Sequence, residues 1–403
     1  MGKFDKYFLM NEEDIMEYVQ EKYDFFKKDA KLKCKEIGDG NLNYVFRVMD
    51  EDGKSVILKH SGVETRSKSG RIVDTDRNRI EAEILMHQAK YAKEYVPKVY
   101  GYDSVMCCCA MEDLKEYEIM RNALLNYKTF PNFADQITTY LVNILLPTTD
   151  IAMDHKEKKG MVKKYINPDL CDISEQLVYS EALQNFSNKN YTIDEMKDYV
   201  RKEIYEDREL VLEGTKLKFG FMNNAQALIH GDLHSGSIFV TNKETKVFDP
   251  EFAFYGPIGY DLGNVIAHLI FALYHAEATL DDSSKKEMFI SWVKESIRNI
   301  VDLFVEKINA KYDEIVKEEL AKTEEFKKYY IEGILSDAAG TMGMEIIRRI
   351  VGVAKVRDLT NISNSEARAA VERKMISISK NAIKKRSLFL NGQAYIEEIN
   401  KHN

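Results

Sequence analysis

The chain has few cysteines. Only five of its 403 residues are cysteine, and three of these are adjacent, Cys107, Cys108 and Cys109. Five cysteines in so long a chain exclude a disulfide framework. Neighbouring side chains on a strand point to opposite faces, so three in a row do not easily converge on one metal ion. We therefore expect small buried apolar residues, with a redox or metal role as the alternative.

Long apolar runs and an excess of positive charge are also absent. No run approaches the roughly 20 apolar residues that span a bilayer, and the opening MGKFDKYFLMNEEDIM lacks the features of a signal peptide. The formal net charge of −8 offers no general attraction for nucleic acid. We expect a cytoplasmic protein with neither a membrane nor a nucleic-acid partner.

The first part of the chain has the pattern of a sheet with one internal helix. Apolar residues at helical spacing predict an N-terminal helix over 11–26 and a second helix over 76–93. Short apolar runs bounded by glycine and acidic turns predict five strands, at 32–37, 44–49, 56–59, 97–102 and 105–111. A five-stranded antiparallel sheet follows for an N-terminal domain of residues 1–113.

The rest of the chain, residues 114–403, is predicted to be a larger and mainly helical domain. Helical periodicity extends over 133–145, 193–219, 260–275, 285–316 and 367–389. The exception is 227–253, where short apolar runs between polar turns indicate strands. Only six prolines occur and no low-complexity linker is visible, so the two domains are joined by a short connection. The fold class is α+β.

The strongest chemical signal is the segment IHGDLHSGSIFV, residues 229–240, followed by Asp249-Pro250-Glu251. Phosphoryl transfer needs a carboxylate beside the acceptor hydroxyl and divalent cations on the phosphates. Asp232, on a loop after a strand, fits the first task. Asp249 and Glu251 are two apart on an extended segment, so both face one side and can reach one Mg²⁺ ion. The alternative is that these acids only cap turns.

These motifs resemble the protein-kinase-like phosphotransferases that include aminoglycoside phosphotransferases and choline kinases. Those enzymes usually carry Asn at the position of Ser237 and Asp at that of Glu251. HGDLHSGS and DPEFAFYGPIGYDLGN resemble the methylthioribose kinase family, which shares both departures. The resemblance implies a bilobal kinase-like fold, ATP and Mg²⁺ bound with the help of Pro250, and a homodimer. It also implies phosphorylation of the anomeric hydroxyl of 5-methylthioribose in methionine salvage.

A glycine-containing turn, EIGDGNLNYVF at residues 36–46, precedes the second strand. Glycine lets the backbone approach phosphates, although a plain hairpin turn is the alternative for Gly38 and Gly40. Lys59, on the third strand, is suited to the nucleotide phosphates. Glu81 is our choice as its anchor, with Glu83 in reserve. The resemblance adds Asn41 to this ATP-binding set.

The connection Glu112-Asp113-Leu114 lies where kinase-like folds turn from one lobe to the other. The resemblance implies that its backbone contacts ATP, whereas a plain interlobe connection is the alternative.

Paired arginines stand in an otherwise apolar run, MEIIRRIV, at residues 344–351. Arg348 and Arg349 cannot both reach solvent from such surroundings, so at least one is expected to meet a partner. A structural ion pair would satisfy this. The resemblance implies instead that both help to bind the sugar and the transferred phosphate.

Three polar residues near the motifs are given supporting roles. His230 and His234 are expected to order the loop around Asp232, and Asp261 to cap the following helix or brace that loop.

The rival functions are a kinase of another small alcohol, such as choline or an aminoglycoside, and an ATP-binding scaffold without catalysis. Paired arginines would repel a cationic acceptor, and a scaffold would be expected to lack one of the key charged residues.

Overall fold

The computed structural model describes residues 2–37, 43–62 and 73–402. The chain divides into two compact units, the first of Met1–Tyr117 with Lys246–Ala253 and the second of Glu118–Thr245 with Phe254–Asn403. The shorter stretch of the first unit carries Asp249 and Glu251, which the sequence-based boundary at 113 left with the C-terminal domain. That division into an ATP-binding and a catalytic domain stays a prediction.

The N-terminal helix of the first unit, α1, covers Glu12–Lys22. Asn11 caps it, because its side chain accepts a hydrogen bond from Asp14 N at 3.0 Å while the Asp14 carboxylate accepts from Asn11 N at 3.1 Å. Tyr23 is already extended, so the helix ends earlier than the predicted residue 26.

The five-stranded antiparallel sheet predicted for the first unit is confirmed, in the order β1-β2-β3-β5-β4. Phe46, Val48 and Leu58 point to the side that α1 covers, and they share its buried core. The second predicted helix is also present, between the third and fourth strands in the chain. The elements are β1 Lys33–Glu36, β2 Asn43–Met49, β3 Ser55–Ser61, α2 Asp76–Ala92, β4 Val99–Asp103 and β5 Cys108–Glu112.

The adjacent cysteines lie at the start of β5. Cys108 and Cys109 are fully buried, which confirms the expectation of buried apolar residues for these two. Cys107 precedes the strand in a turn with φ of +47° and is only half-buried. All five thiols are free.

The second unit contains short strands and most of the helices. Strand β6 pairs antiparallel with β8, and β7 pairs antiparallel with β10. The boundary between the two units falls within β9, after Thr245. These strands are β6 Glu118–Ile119, β7 Ala227–Ile229, β8 Ile238–Val240, β9 Thr245–Val247 and β10 Phe254–Gly256. The helices are α3 Met120–Leu125, α4 Phe133–Leu145, α5 His155–Lys164, α6 Pro168–Ser174, α7 Glu181–Gln184, α8 Lys197–Val200, α9 Arg208–Asn223, α10 Ile258–Thr279, α11 Ser283–Ile315, α12 Glu324–Val351, α13 Arg357–Thr360, α14 Ser365–Lys384 and α15 Gly392–Asn400.

The segment 193–219, predicted to have helical periodicity, is mostly helical but is not one continuous helix. A 3₁₀ turn precedes α8, and a π-helical segment, Arg201–Tyr205, follows it. A new helix, α9, then begins at Arg208, because the Asp207 side chain accepts a hydrogen bond from Leu210 N at 3.0 Å. Apolar residues have helical spacing on both sides of Asp207, so the spacing alone does not show that one helical segment ends and another begins there.

Close packing of α10 against α12 positions much of the second unit. A Cβ built at Gly259 would lie 2.5 Å from Ala338 N, and one at Gly263 would lie 2.4 Å from Ala338 O. Glycine is therefore required at both positions, since a side chain would push the helices apart.

Among the described helices, none has both the length and the apolar character that crossing a membrane requires.

Candidate active site

Lys59 is the centre of a buried charge cluster in the first unit. Its ammonium lies 2.6 Å from a carboxylate oxygen of Glu81 on α2, and it also contacts Asp249. Burial would lower the pKa of Lys59, but the carboxylates of Asp249, Glu81 and Glu251 outweigh this effect and raise it. The lysine therefore stays charged, and Glu81 rather than Glu83 is the anchor.

The carboxylates around Lys59 are crowded. Burial, opposed by Lys59, raises the pKa of Glu81 to about 8. Burial and the nearby charge of Asp249 raise the pKa of Glu251 to about 7. Asp249 also has a φ of +68°, a left-handed conformation that non-glycine residues rarely adopt. A second cation at this cluster would relieve the repulsion between the carboxylates.

The donor set fits a magnesium ion. Asp249 and Glu251 supply hard oxygens, and Mg²⁺ is usually held by one or two carboxylates together with water and phosphate oxygens. Among the described residues, no group of three or more His, Cys, Asp or Glu side chains is arranged to hold a metal by itself. Asp249 and Glu251 would thus form part of a magnesium site and leave its other positions to water and phosphate oxygens.

Two residues that we had not assigned to the site hold Glu251 in place. Asn43 Nδ2 donates a hydrogen bond to Glu251 Oε2 at 2.7 Å, and Arg77 Nε lies 3.8 Å from the same oxygen. Arg77 Nε also donates to Asn43 Oδ1 at 3.1 Å. Arg77 stands one helical turn before Glu81, so its position on that buried face was a signal available in the sequence.

The predicted glycine turn, with Gly38, Gly40 and Asn41, lies outside the described residues. Its contact with ATP stays a prediction.

The connection 112–114, predicted to contact ATP, uses its acidic side chains for hydrogen bonds within the first unit. Asp113 accepts two hydrogen bonds from the Arg47 guanidinium, at 2.7 and 2.9 Å. Glu112 accepts from Lys98 N at 3.0 Å, and Leu114 is buried. If this connection binds a nucleotide, it does so through its backbone. Whether it contacts ATP stays a prediction.

In the second unit, Asp261 braces the loop that carries Asp232. Its two carboxylate oxygens accept hydrogen bonds from His230 N at 2.7 Å and Gly231 N at 3.0 Å. Gly231 has a φ of +83°, which glycine adopts without strain. Asp261 lies in the first turn of α10 and thus fixes the loop to that helix. Burial raises the pKa of Asp261, although these two hydrogen bonds and His230 oppose the rise.

Hydrogen bonds within the loop itself also hold residues 232–237 together. Ser237 Oγ donates to Asp232 O at 3.1 Å, and Gly236 N donates to His234 Nδ1 at 3.1 Å. The other ring nitrogen of His234 lies 3.4 Å from Asp232 Oδ2. Burial and the nearby cation of Arg121 hold the pKa of His234 well below its usual value, so it acts here as a neutral hydrogen-bonding group.

Both predicted arginines meet a partner, Glu345, one turn earlier on α12. The fully buried Glu345 carboxylate bonds Arg348 Nε, and its other oxygen accepts from Arg349 Nε at 2.7 Å. Burial would raise the pKa of Glu345, but Arg348 and Arg349 reverse this and hold it well below the usual value. Sequence reasoning missed Glu345, although its i,i+3 and i,i+4 spacing to two arginines was a visible signal.

Arg348 also faces the loop. Its Nη2 lies 3.7 Å from Asp232 Oδ1, so the guanidinium joins Glu345 on one side to Asp232 on the other. Asp232 keeps about a quarter of its side chain exposed, at 27%, whereas Arg348 is 9% exposed. An accessible carboxylate beside fixed cations can accept a proton from a hydroxyl and hold negative charge close by.

A comparison with known proteins identifies the family of this chain. The model of the phosphotransferase enzyme family matches residues 33–280. A methylthioribose kinase from Bacillus cereus strain AH820 is 35% identical over 386 residues, which cover 94% of this chain and 93% of that protein. One from Bacillus anthracis gives the same figures. The chain belongs to the phosphotransferase enzyme family, among its methylthioribose kinases. It is therefore an enzyme of the kinase type.

A solved structure supports the fold of this phosphotransferase. Choline kinase from Cryptosporidium parvum superposes with a TM-score of 0.52 and covers 94% of this chain and 99% of its own. At 13% identity the likeness concerns the fold alone. The predicted kinase-like α+β fold is thus confirmed.

Proposed function

We propose that this phosphotransferase transfers the γ-phosphoryl group of ATP to the anomeric hydroxyl of 5-methylthioribose. The products are 5-methylthioribose 1-phosphate and ADP. The relatives at 35% identity are named for this sugar, and the match extends over 94% of the chain.

The observation that carries the choice of acceptor is the arginine pair beside Asp232. Arg348 lies 3.7 Å from Asp232, and both arginines are held by Glu345. Choline and aminoglycosides are cations, and buried arginines at this distance would repel them. A neutral sugar meets no such penalty, and its hydroxyls can accept hydrogen bonds from the guanidinium groups.

In the proposed reaction Asp232 accepts the proton of the anomeric hydroxyl. The hydroxyl oxygen then bonds to the γ-phosphorus, and the bond from that phosphorus to the bridging oxygen of ADP breaks. Arg348 and Arg349 offset the negative charge of the transferred group. Lys59, held by Glu81, is proposed to bind the α and β phosphates of ATP.

Asp249 and Glu251 are proposed to hold Mg²⁺, and Asn43 orients Glu251 for this task. The ion would supply positive charge to the nucleotide phosphates when bound. The glycine turn with Gly38, Gly40 and Asn41 and the backbone of 112–114 are proposed as the remaining ATP contacts.

Three finer proposals follow from the family resemblance. The reaction belongs to methionine salvage, the enzyme works in the cytoplasm, and it acts as a homodimer. Sedimentation of the purified protein would test the last of these.

The substrate is tested by assaying phosphorylation of methylthioribose, choline and kanamycin side by side. We expect a preference for methylthioribose in kcat/KM, and we expect the product to carry its phosphate at the anomeric carbon by phosphorus NMR. A preference for either cationic acceptor would overturn the assignment.

A further inference from the structure

Arg121, the cation that lowers the pKa of His234, lies in the first turn of α3. Its Nε and Nη2 are buried and have no hydrogen-bond partner among the described residues. A guanidinium is always charged, and burying its donors without partners is costly. Unpartnered buried donors in a native structure call for an explanation, and a ligand that binds there is one.

The Arg121 guanidinium packs against the loop that carries Asp232. A Cβ built at Gly236 would lie 2.7 Å from Arg121 Nη2 and 2.8 Å from its Cζ. Any other residue at 236 would therefore displace the guanidinium. The glycine of the HGDLHSGS motif and this arginine fit each other, which ties Arg121 to the reacting region rather than to the outer surface.

Arg121 lies near charged groups of both signs. Burial and the nearby Arg349 lower the pKa of Arg121, while Asp358 and Asp232 oppose this effect. Glu345 cannot compensate, because its two oxygens already bond Arg348 and Arg349. The unpartnered Nε and Nη2 of Arg121 thus remain available to an anion at this loop.

We propose that Arg121 is a phosphate-binding residue, which holds the group transferred to the sugar together with Arg348 and Arg349. The inference rests on the proposed function for the identity of the sugar, but the ligand it assigns to Arg121 is the phosphate itself. Planar guanidinium donors match phosphate oxygens in geometry as well as charge.

A purely structural ion pair with Asp358 on α13 is the competing explanation. Asp358 Oδ2 also has no hydrogen-bond partner among the described residues, so it accepts from neither Nε nor Nη2 of Arg121. The carboxylate nevertheless influences Arg121 electrostatically, and Asp358→Asn therefore serves as the variant that separates pairing from phosphate binding.

The test compares Arg121→Gln with the matched control Arg357→Gln. Arg357 is exposed, directly precedes Asp358 in the chain and donates to Asn122 Oδ1. Binding of inorganic phosphate to the full-length enzyme is measured by calorimetry, and KM and kcat are measured with methylthioribose. We expect Arg121→Gln to weaken phosphate binding roughly tenfold or more and to lower kcat, with KM for the sugar within about twofold. Arg357→Gln and Asp358→Asn should retain phosphate binding.

Unchanged phosphate binding in Arg121→Gln would overturn the inference, as would an equal loss in Asp358→Asn or the absence of saturable phosphate binding to the parent. If Arg121→Gln does not fold, Arg121→Lys keeps the charge without the planar donors, and weaker phosphate binding is again expected. An enzyme that binds phosphate through Arg121 but leaves methylthioribose unmodified would refute the proposed function alone.

Discussion

Glu345 accepts a hydrogen bond from Arg349 at 2.7 Å while both side chains are buried on the same helix. The same oxygen lies 3.2 Å from His268 Nε2, and the other oxygen of Glu345 holds Arg348. A single carboxylate therefore fixes two cations whose mutual repulsion would otherwise drive them apart. Glu345 gives the arginine pair its geometry, and the pair in turn faces Asp232.

Glu345→Gln tests this arrangement. Removing the charge leaves the buried Arg349 without its carboxylate partner and Arg348 with only Asp232, 3.7 Å away. Breaking such a buried pair costs roughly 3–5 kcal/mol. We expect a clear fall in the free energy of unfolding, measured with denaturant, and a lower kcat. Glu325→Gln, at an exposed position of α12, is the control and should change little. Equal stability of the two variants would contradict the role given to Glu345.

The same ion pair predicts a pH dependence of stability. The pKa of Glu345 in the folded protein lies well below its usual value, whereas a glutamate in the unfolded chain has a pKa of about 4.3. The contribution of Glu345 is therefore fully present above that value and is lost as pH falls towards the folded pKa. The stability difference between the parent and Glu345→Gln should be greatest near neutral pH and should shrink in acid. A difference that does not change with pH would show that Glu345 is not the titrating group.

Elements and residues that depend on a local sequence pattern could be predicted from the sequence. Alternating apolar runs located the strands of the first unit, and the HGDLHSGS and Asp-Pro-Glu motifs located the acids. The break at Asp207 was missed, because the apolar spacing on its two sides continued a helical period. Glu345 was not predicted as the partner of the arginines, because i,i+3 and i,i+4 spacing is common to exposed and buried ion pairs and does not by itself indicate a buried one.

Other features depend on contacts that are distant in sequence. Asn43 reaches Glu251 across 208 residues, and no spacing rule connects the two. Arg121 likewise lies against Gly236 only because α3 and the 230–237 loop are brought together by the fold. Such pairs are set by tertiary packing, so a single sequence does not reveal them.

Asp232→Asn is expected to abolish most of the turnover. The amide cannot accept the hydroxyl proton, and positioned general bases contribute roughly 100-fold or more to the rate. The melting temperature should remain close to that of the parent, and Asp281→Asn, at an exposed position before α11, provides the matched control. Turnover within about tenfold of the parent would refute the proton-acceptor role.

Asn43→Ala is expected to raise the Mg²⁺ concentration needed for half-maximal activity. Its amide donates to Glu251 at 2.7 Å, and losing a group that orients a metal ligand typically costs about 10–100-fold in metal affinity. Activity should recover at high Mg²⁺. Asn132→Ala is a suitable control, because Asn132 is exposed and its side chain makes no capping hydrogen bond. The same Mg²⁺ dependence in both variants would remove Glu251 from the metal site.

Asp261→Asn tests whether Asp261 holds the loop that carries Asp232 in place. The amide nitrogen would face the backbone N–H of His230 or Gly231, which donates 2.7 or 3.0 Å away, so one buried donor loses its acceptor. Leaving such a group unpaired costs about 1–3 kcal/mol, and the loop that holds Asp232 should loosen. We expect a lower melting temperature and a lower kcat, with phosphate binding by the arginines retained. Amide hydrogen exchange should rise at 230–232 in this variant but not in Asp281→Asn, and unaltered protection there would mean that Asp261 does not hold the loop.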